Sequence, residues 1–306
     1  MRVFYGTYDA QGKLKNTVVT VGSFDGVHSG HKLIIDRLKK TASNIAGETL
    51  IVTFHPHPRI VLFPAEKDLM LIYSLDEKIE LLSRTGLDNL VIIPFSIQFS
   101  QTTSYDFVSK ILFAQLGAKV VVVGQNHQFG HNRSGDLDYL SKLSHELGFR
   151  VENIPTKVLE NETVSSTKVR KALLEGNIPL ANAYLSHEYI ISGLLNRTIF
   201  IAGNENLESY KPVITEVRKL VPPTGIYATK MVVSDSTYMS ITIVNEVING
   251  TRTVQTIPIQ NNINHNGERG IIYFFKKIYG EEAFEANVPK NENIFSALRI
   301  AQDFKL

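Results

Sequence analysis

Up to about residue 185, short apolar runs alternate with stretches of helical periodicity. The segments NTVVTVG (16–22), ETLIVTF (48–54), NLVIIPF (89–95) and KVVVVG (119–124) are rich in Val and Ile and nearly continuous. Strands of that texture are covered on both faces, as in a parallel sheet between helix layers. The helices between them have legible ends. In SLDEKIELLSRTG, Ser74 and Glu77 stand at capping-box spacing, Leu75, Ile79 and Leu82 share a face, and Gly86 follows the end. DLDYLSKLSHELG repeats the scheme, with Asp136 as cap, Leu137, Leu140 and Leu147 inward, and Gly148 as stop. This alternation predicts a doubly wound, Rossmann-like α/β domain.

Near Tyr189 the pattern changes. EYIISGLL, GIYATKMVVS, TYMSITIVNEV and RTVQTIPIQ are β-branched and partly alternating, and clusters of Gly, Asn, Asp and Pro separate them without intervening helices. That predicts a small antiparallel β-barrel or sandwich, the barrel foremost, closed by one helix over NENIFSALRIAQDF. The expected division is 1–186 and 187–306, and no internal repeat or low-complexity segment interrupts it.

Composition narrows the classes without naming one. At 306 residues the chain has room for two cores, and 43% apolar with 20% charged residues is ordinary for a globular protein. A net charge of +2 supplies no electrostatic argument for nucleic acid or an anionic membrane as partner. With no Cys there is no disulfide framework and no thiolate zinc site. No apolar run approaches the roughly 18 residues of a membrane span, and MRVFYGTYDA lacks a signal-peptide core, so a cytoplasmic protein is expected.

The candidate chemistry begins at the end of the first long apolar strand. GSFDGVHSGH (22–31) holds three glycines and two histidines three apart, immediately before a helical pattern. In open α/β sheets ligands bind beyond the carboxyl ends of the strands. Gly22, Gly26 and Gly30 let backbone approach a ligand, and a helix start with free N–H groups suits phosphate. His28 and His31 would add donors to charged oxygens. The same His-x-x-His spacing also fits zinc, and isolated histidines are commonly structural. On these residues alone, phosphate contact, metal and structural roles stay open.

The string Gly22 to His31 resembles the signature of the nucleotidyltransferase superfamily, and specifically the adenylyltransferase module of the bacterial bifunctional riboflavin kinase/FMN adenylyltransferase (FAD synthetase) family. Three further stretches are similar to that family and occur in its order: TFHPHPR (53–59), VVGQNHQFGHNRSGD (122–136) and SSTKVRKAL (165–173). The junction LSHEYIISG (185–193) resembles the entry to its second domain. The resemblance implies transfer of AMP from ATP to the phosphate of FMN, giving FAD and pyrophosphate, with Mg²⁺ bridging phosphate oxygens rather than held by protein metal ligands. It implies that His28, His31 and Arg170 are catalytic. It further implies that Gly22, Phe24, Gly26, Gly30, Ser165, Ser166 and Thr167 bind ATP.

The chemistry agrees with such a set. The second pKa of a phosphate monoester is about 6, so the FMN phosphate is already mostly dianionic at neutral pH and needs no protein base. Catalysis is then positioning and charge stabilisation.

For the flavin, the candidates are Asp25, His55, Pro56, His57, Pro58, Asn126, Phe129 and Arg133. Asp25 equally suits an Asx-type turn, the prolines around His55 and His57 equally suit a stiff strand exit, and Arg133 equally suits a solvated loop. The family usually has Asp-Phe where Asn126-His127 stand here, so a negative charge is missing.

The second domain departs further. The family's kinase module carries Pro-Thr-Ala-Asn after its first strand and a Glu base in a later one. Between Gly193 and Val221 there is no such tetrapeptide and no glycine-rich phosphate loop, and Gln255 stands where the Glu is expected. An amide cannot take the proton of the riboflavin hydroxyl. The expectation is an FAD synthetase with a degenerate kinase module; the alternatives are a fully bifunctional enzyme and a flavin- or nucleotide-binding regulator without catalysis. The sequence is silent on oligomeric state.

Overall fold

The computed structural model describes all residues except 67, 125–127, 155–163, 247–251, 261–262, 264, 286–287 and 304–306. By packing, the chain divides into two compact units: 1–69 with 78–164, and 70–77 with 165–306.

The first unit is built on a six-stranded sheet of β1 (Arg2–Tyr5), β2 (Thr17–Val21), β3 (Thr49–His55), β4 (Asn89–Pro94), β5 (Ala118–Gly124) and β6 (Arg150–Ile154). The spatial order is β1-β4-β3-β2-β5-β6 and every pairing is parallel. The four apolar runs are β2 to β5, the inner strands, and in β2 every residue is buried. The two strands outside the predicted set, β1 and β6, lie at the edges. Their exposed positions break the apolar run, so RVFY and RVENI carry no strand signal of that kind. Val19, Val21, Leu50, Val52, Val91, Val121 and Val123 are among the sheet residues of one core.

The helices of this unit include α1 (Ser29–Asn44), α2 (Pro58–Leu62), the part of α3 (Leu75–Ser83) from Lys78 onward, and α4 (Leu137–Leu147). The predicted caps are present. The Ser74 amide donates to Glu77 Oε2 (2.8 Å), and the Glu77 amide donates to Ser74 Oγ (3.2 Å). Asp136 Oδ1 accepts from the Tyr139 amide (2.9 Å), and Gly148 ends α4 in the left-handed conformation. The apolar face predicted for α3 is incomplete, because its charged Glu77 and Lys78 are also buried.

The second unit opens with α5 (Ser166–Leu174) and α6 (Ile178–Leu185). The change to antiparallel strands falls at Tyr189. There β7 (Tyr189–Ala202), β8 (Glu205–Pro212), β9 (Gly225–Val233), β10 (Ser236–Glu246), β11 (Arg252–Pro258) and β12 (Arg269–Tyr279) form a closed barrel in the order β10-β11-β8-β7-β12-β9. Closure leaves no sheet edge to pair with another chain. α7 (Asn291–Gln302) packs Ile294, Ala297 and Ala301 against Ile226, Ile241, Ile243 and Ile257. Two barrel strands were outside the predicted set. β8 reads ENLESYKP, without an apolar face, and β12 is broken by two register shifts, between Phe274 and Lys276 and between Lys277 and Tyr279.

Within this unit the Glu77 carboxylate is fully enclosed. Lys219 Nζ lies 2.8 Å from Oε2, and the Ser192 amide donates to Oε1 (2.8 Å). Lys219 also donates to the carbonyls of Ile72 (2.7 Å) and Ile190 (3.0 Å), and sits 4.7 and 4.5 Å from the ring centres of Tyr73 and Tyr189. Removing one partner of such a pair strands a buried charge, at a cost of about 3–5 kcal/mol. Among the described residues, no helix is long and apolar enough to cross a membrane.

Candidate active site

β2 lies in the interior of the sheet. The chain winds outward from it through β3 and β4, then returns to its other flank at β5. The loop after β2 therefore stands at the switch point of the sheet, where ligands bind in doubly wound folds. It leaves the sheet at Gly22, whose amide donates to the Val52 carbonyl (3.0 Å).

Phe24 (φ 48°), Gly26 (φ 97°) and Val27 (φ 43°) then adopt left-handed backbone. For a bulky and a β-branched residue that conformation costs on the order of 1–3 kcal/mol each. Burial over-determines it: Phe24, Asp25 and Val27 are 2%, 2% and 1% exposed.

His28 is the N-cap residue of α1, and its side chain makes no capping bond. Its ring stacks on that of His31 one turn later, with centres 3.8 Å apart and planes 16° from parallel. The Phe24 ring also packs on His31, with centres 4.7 Å apart. A Cβ on Gly30 would lie 3.3 Å from the His28 ring, so the glycine makes room for the stack. His31 Nδ1 and Ser29 Oγ are buried without a hydrogen-bond partner among the described residues. Desolvation pushes the His31 pKa well below the usual imidazole range, helped by the charges of His28 and Lys78. His31 is therefore a neutral imidazole at neutral pH, and retains one N–H to donate.

Two other predicted segments follow the strands on either side of β2. After β3, His57 Nδ1 accepts from the Arg59 amide (3.2 Å) and caps α2, with Pro58 at its first turn. His55 is half-buried, and Pro56 is exposed. After β5, Phe129 pairs with Gly135 across a tight turn and packs near Phe107, with ring centres 6.3 Å apart. Arg133 is exposed at the turn, and Asn126 lies outside the described residues.

In the second unit, Ser165 caps α5 by accepting from the Lys168 amide (3.4 Å). Thr167 is exposed and Ser166 half-buried on the first turn. Arg170 Nε donates to the Met70 carbonyl (2.8 Å), a bond that fixes the guanidinium from one edge.

The barrel segment that lacks the kinase motifs is a plain hairpin, β7 running to Ala202, a turn at Gly203 and β8. Gln255 Nε2 donates to Ser209 Oγ (2.8 Å) and Thr198 Oγ1 (3.2 Å). A further ladder joins Ser240, Thr229, Thr242 and Thr256 through hydroxyl contacts of 2.8–2.9 Å.

A family profile described as FAD synthetase matches residues 10–168, which span the first three motifs and the start of the fourth. The chain belongs to the FAD synthetase family. Its activity is FMN adenylylation, a nucleotidyl transfer that forms FAD. Among similar proteins, the bifunctional riboflavin kinase/FMN adenylyltransferase of Listeria monocytogenes is 30% identical over 276 residues, covering 88% of this chain and 82% of that protein. The protein of that name in Escherichia coli is 31% identical over 239 residues, covering 76% and 73%. The one in Buchnera aphidicola is 27% identical over 311 residues, covering 99% and 98%. A solved structure described as a macrolide-efflux protein from Streptococcus pneumoniae matches with a TM-score of 0.80 at 22% identity over the whole of both chains. That likeness is one of fold.

The sequence reading singled out the loop Gly22–His31 and missed Lys78. It is 6% exposed, and its ammonium donates to the Ser23 carbonyl (2.7 Å) inside that loop. The only signal available was a lysine next to the capping-box glutamate, which reads as an ordinary surface charge.

Proposed function

We propose that the loop Gly22–His31 is where AMP is transferred. A phosphate oxygen of FMN attacks the α-phosphorus of ATP, the bond to the β-phosphate oxygen breaks, and pyrophosphate leaves with that electron pair. His28 and His31 donate to the phosphate oxygens as charge builds on them. Gly22, Phe24, Gly26 and Gly30 shape the loop against the nucleotide. Ser165, Ser166, Thr167 and Arg170 are read as contacts of the β- and γ-phosphates. Asp25, the 55–58 segment, Asn126, Phe129 and Arg133 remain the flavin-side assignments. The observation that carries this reading is the stacked imidazole pair at the sheet's switch point, with His31 Nδ1 unbonded among the described residues. A purely structural histidine pair would have its buried nitrogens bonded.

Mg²⁺ enters as the companion of ATP. Among the described residues no three His, Asp or Glu side chains are grouped to hold a metal ion. Phosphate oxygens and water supply most ligands of this hard cation, and no step here runs through it.

The proposed division is an adenylyltransferase domain at 1–186 and a kinase-like barrel at 187–306 that does not phosphorylate riboflavin. Gln255 supports this, because its amide is spent on two hydroxyls and cannot act as a base. We read the protein as cytoplasmic, acting on small molecules and not on nucleic acid.

The test is steady-state FAD formation by His28→Ala and His31→Ala. Donors that act in the transition state contribute about 10²–10³ in rate, so kcat should fall by that factor, more than KM for ATP rises. Near-normal turnover in both variants would remove the assignment.

A further inference from the structure

We infer that Lys78 is a positioning residue for adenylyl transfer: its buried ammonium, bonded to the Ser23 carbonyl and set beside Asp25, holds the histidine loop in its strained form. This rests on reading that loop as the phosphate contact. The Ser23 carbonyl accepts Lys78 Nζ at 2.7 Å from α3 and Thr53 Oγ1 at 3.2 Å from β3. The next residue is Phe24, where the left-handed backbone begins, and Val27 repeats that conformation just before His28. The carbonyl is thus pinned from two elements at the point where the chain departs from ordinary geometry.

Packing alone does not account for a lysine here. Lysines are almost never fully buried without a partner, and a Met of similar length would fill the space without desolvating a charge. Burial pushes the Lys78 pKa down, while the Asp25 carboxylate favours its charged form. The groups whose charges act on His31 are His28 from the loop and Lys78 from α3, with Asp25 acting on Lys78. The cation under the loop therefore has two effects. It fixes the backbone that presents the imidazoles, and it disfavours protonation of His31 before the anionic substrate arrives.

The experiment compares the full-length protein with Lys78→Met and Lys78→Gln. Three quantities are read: kcat and KM for FAD formation, the His31 titration by proton NMR, and thermal unfolding. Misplacement of reacting groups costs up to about 10²-fold, so Lys78→Met should lose between about tenfold and 10²-fold in kcat, with KM for FMN nearly unchanged. The His31 midpoint should move upward in both variants. Gln keeps a donor for Ser23 without the charge, so it should recover part of kcat while its His31 midpoint stays raised. It also supplies the comparison if the Met variant does not fold.

A lower melting temperature with kcat per folded molecule and the His31 midpoint both unchanged would overturn the inference. Failure of the underlying reading shows separately, as normal turnover in His31→Ala. In that case the His31 midpoint in Lys78→Gln still reports whether the ammonium acts on the ring.

Discussion

The histidine loop of the first unit and the barrel walls of the second both bury polar side chains, and they treat them in opposite ways. In the loop, His31 Nδ1 and Ser29 Oγ are enclosed without a bond among the described residues, on a backbone that Phe24 and Val27 hold in the left-handed region. In the barrel, Gln255 meets Thr198 and Ser209, and the hydroxyls of Thr229, Ser240, Thr242 and Thr256 bond to one another. A buried polar group left unbonded costs stability, and a fully bonded network gains it. The first arrangement is worth keeping where a ligand completes the bonds. In the second, these side chains are spent on one another.

The largest effect that sharpens this contrast is on stability. Lys219→Met leaves the Glu77 carboxylate buried with two amides and no cation, and should destabilise the protein by about 3–5 kcal/mol in urea unfolding. A loss under about 1 kcal/mol would mean that this pair is solvated and not part of a closed network.

Next comes Gln255→Ala. It removes two hydrogen bonds worth about 1 kcal/mol each, and should lower stability by about 1–2 kcal/mol. FAD formation per folded molecule should stay within about twofold of the parent. A large loss of FAD formation would break the contrast, because the barrel wall would then take part in adenylyl transfer.

The smallest effect is a pH dependence from His31. Its folded pKa lies well below that of the unfolded chain, which is about 6.5, so the unfolded state takes up the proton first as pH falls. The stability it contributes is fully present above about pH 6.5 and is lost below it, by at most about 1.4 kcal/mol per pH unit. Unfolding free energies measured from neutral to mildly acid pH should fall more steeply for the parent than for His31→Ala. Parallel curves would show that His31 titrates normally.

How much was legible follows from what each element buries. The inner strands β2 to β5 announce themselves because both their faces are covered, whereas the edge strands β1 and β6 do not. The caps at Ser74 and Asp136 were readable because capping is local chemistry at fixed spacing. The loop Gly22–His31 was readable as a motif, and its histidine stack is the natural result of two rings one helical turn apart.

Lys78 and Lys219 were not readable, because their partners, Ser23 and Glu77, lie 55 and 142 positions away. Nothing in a sequence window marks a lysine as buried. The same holds for β8, whose buried Ser209 is satisfied by a hydroxyl and an amide from other strands of the barrel.

The central claim is that adenylyl transfer is the chemistry of this chain and that its barrel adds no second reaction. Product analysis after two separate incubations tests it most directly, one with FMN, ATP and Mg²⁺ and the other with riboflavin, ATP and Mg²⁺. The account predicts FAD and pyrophosphate from the first, and no FMN above background from the second. Absence of FAD from the first would contradict the adenylyl-transfer reading. Steady formation of FMN from riboflavin in the second would contradict the reading of the barrel as inactive and make it a second active site.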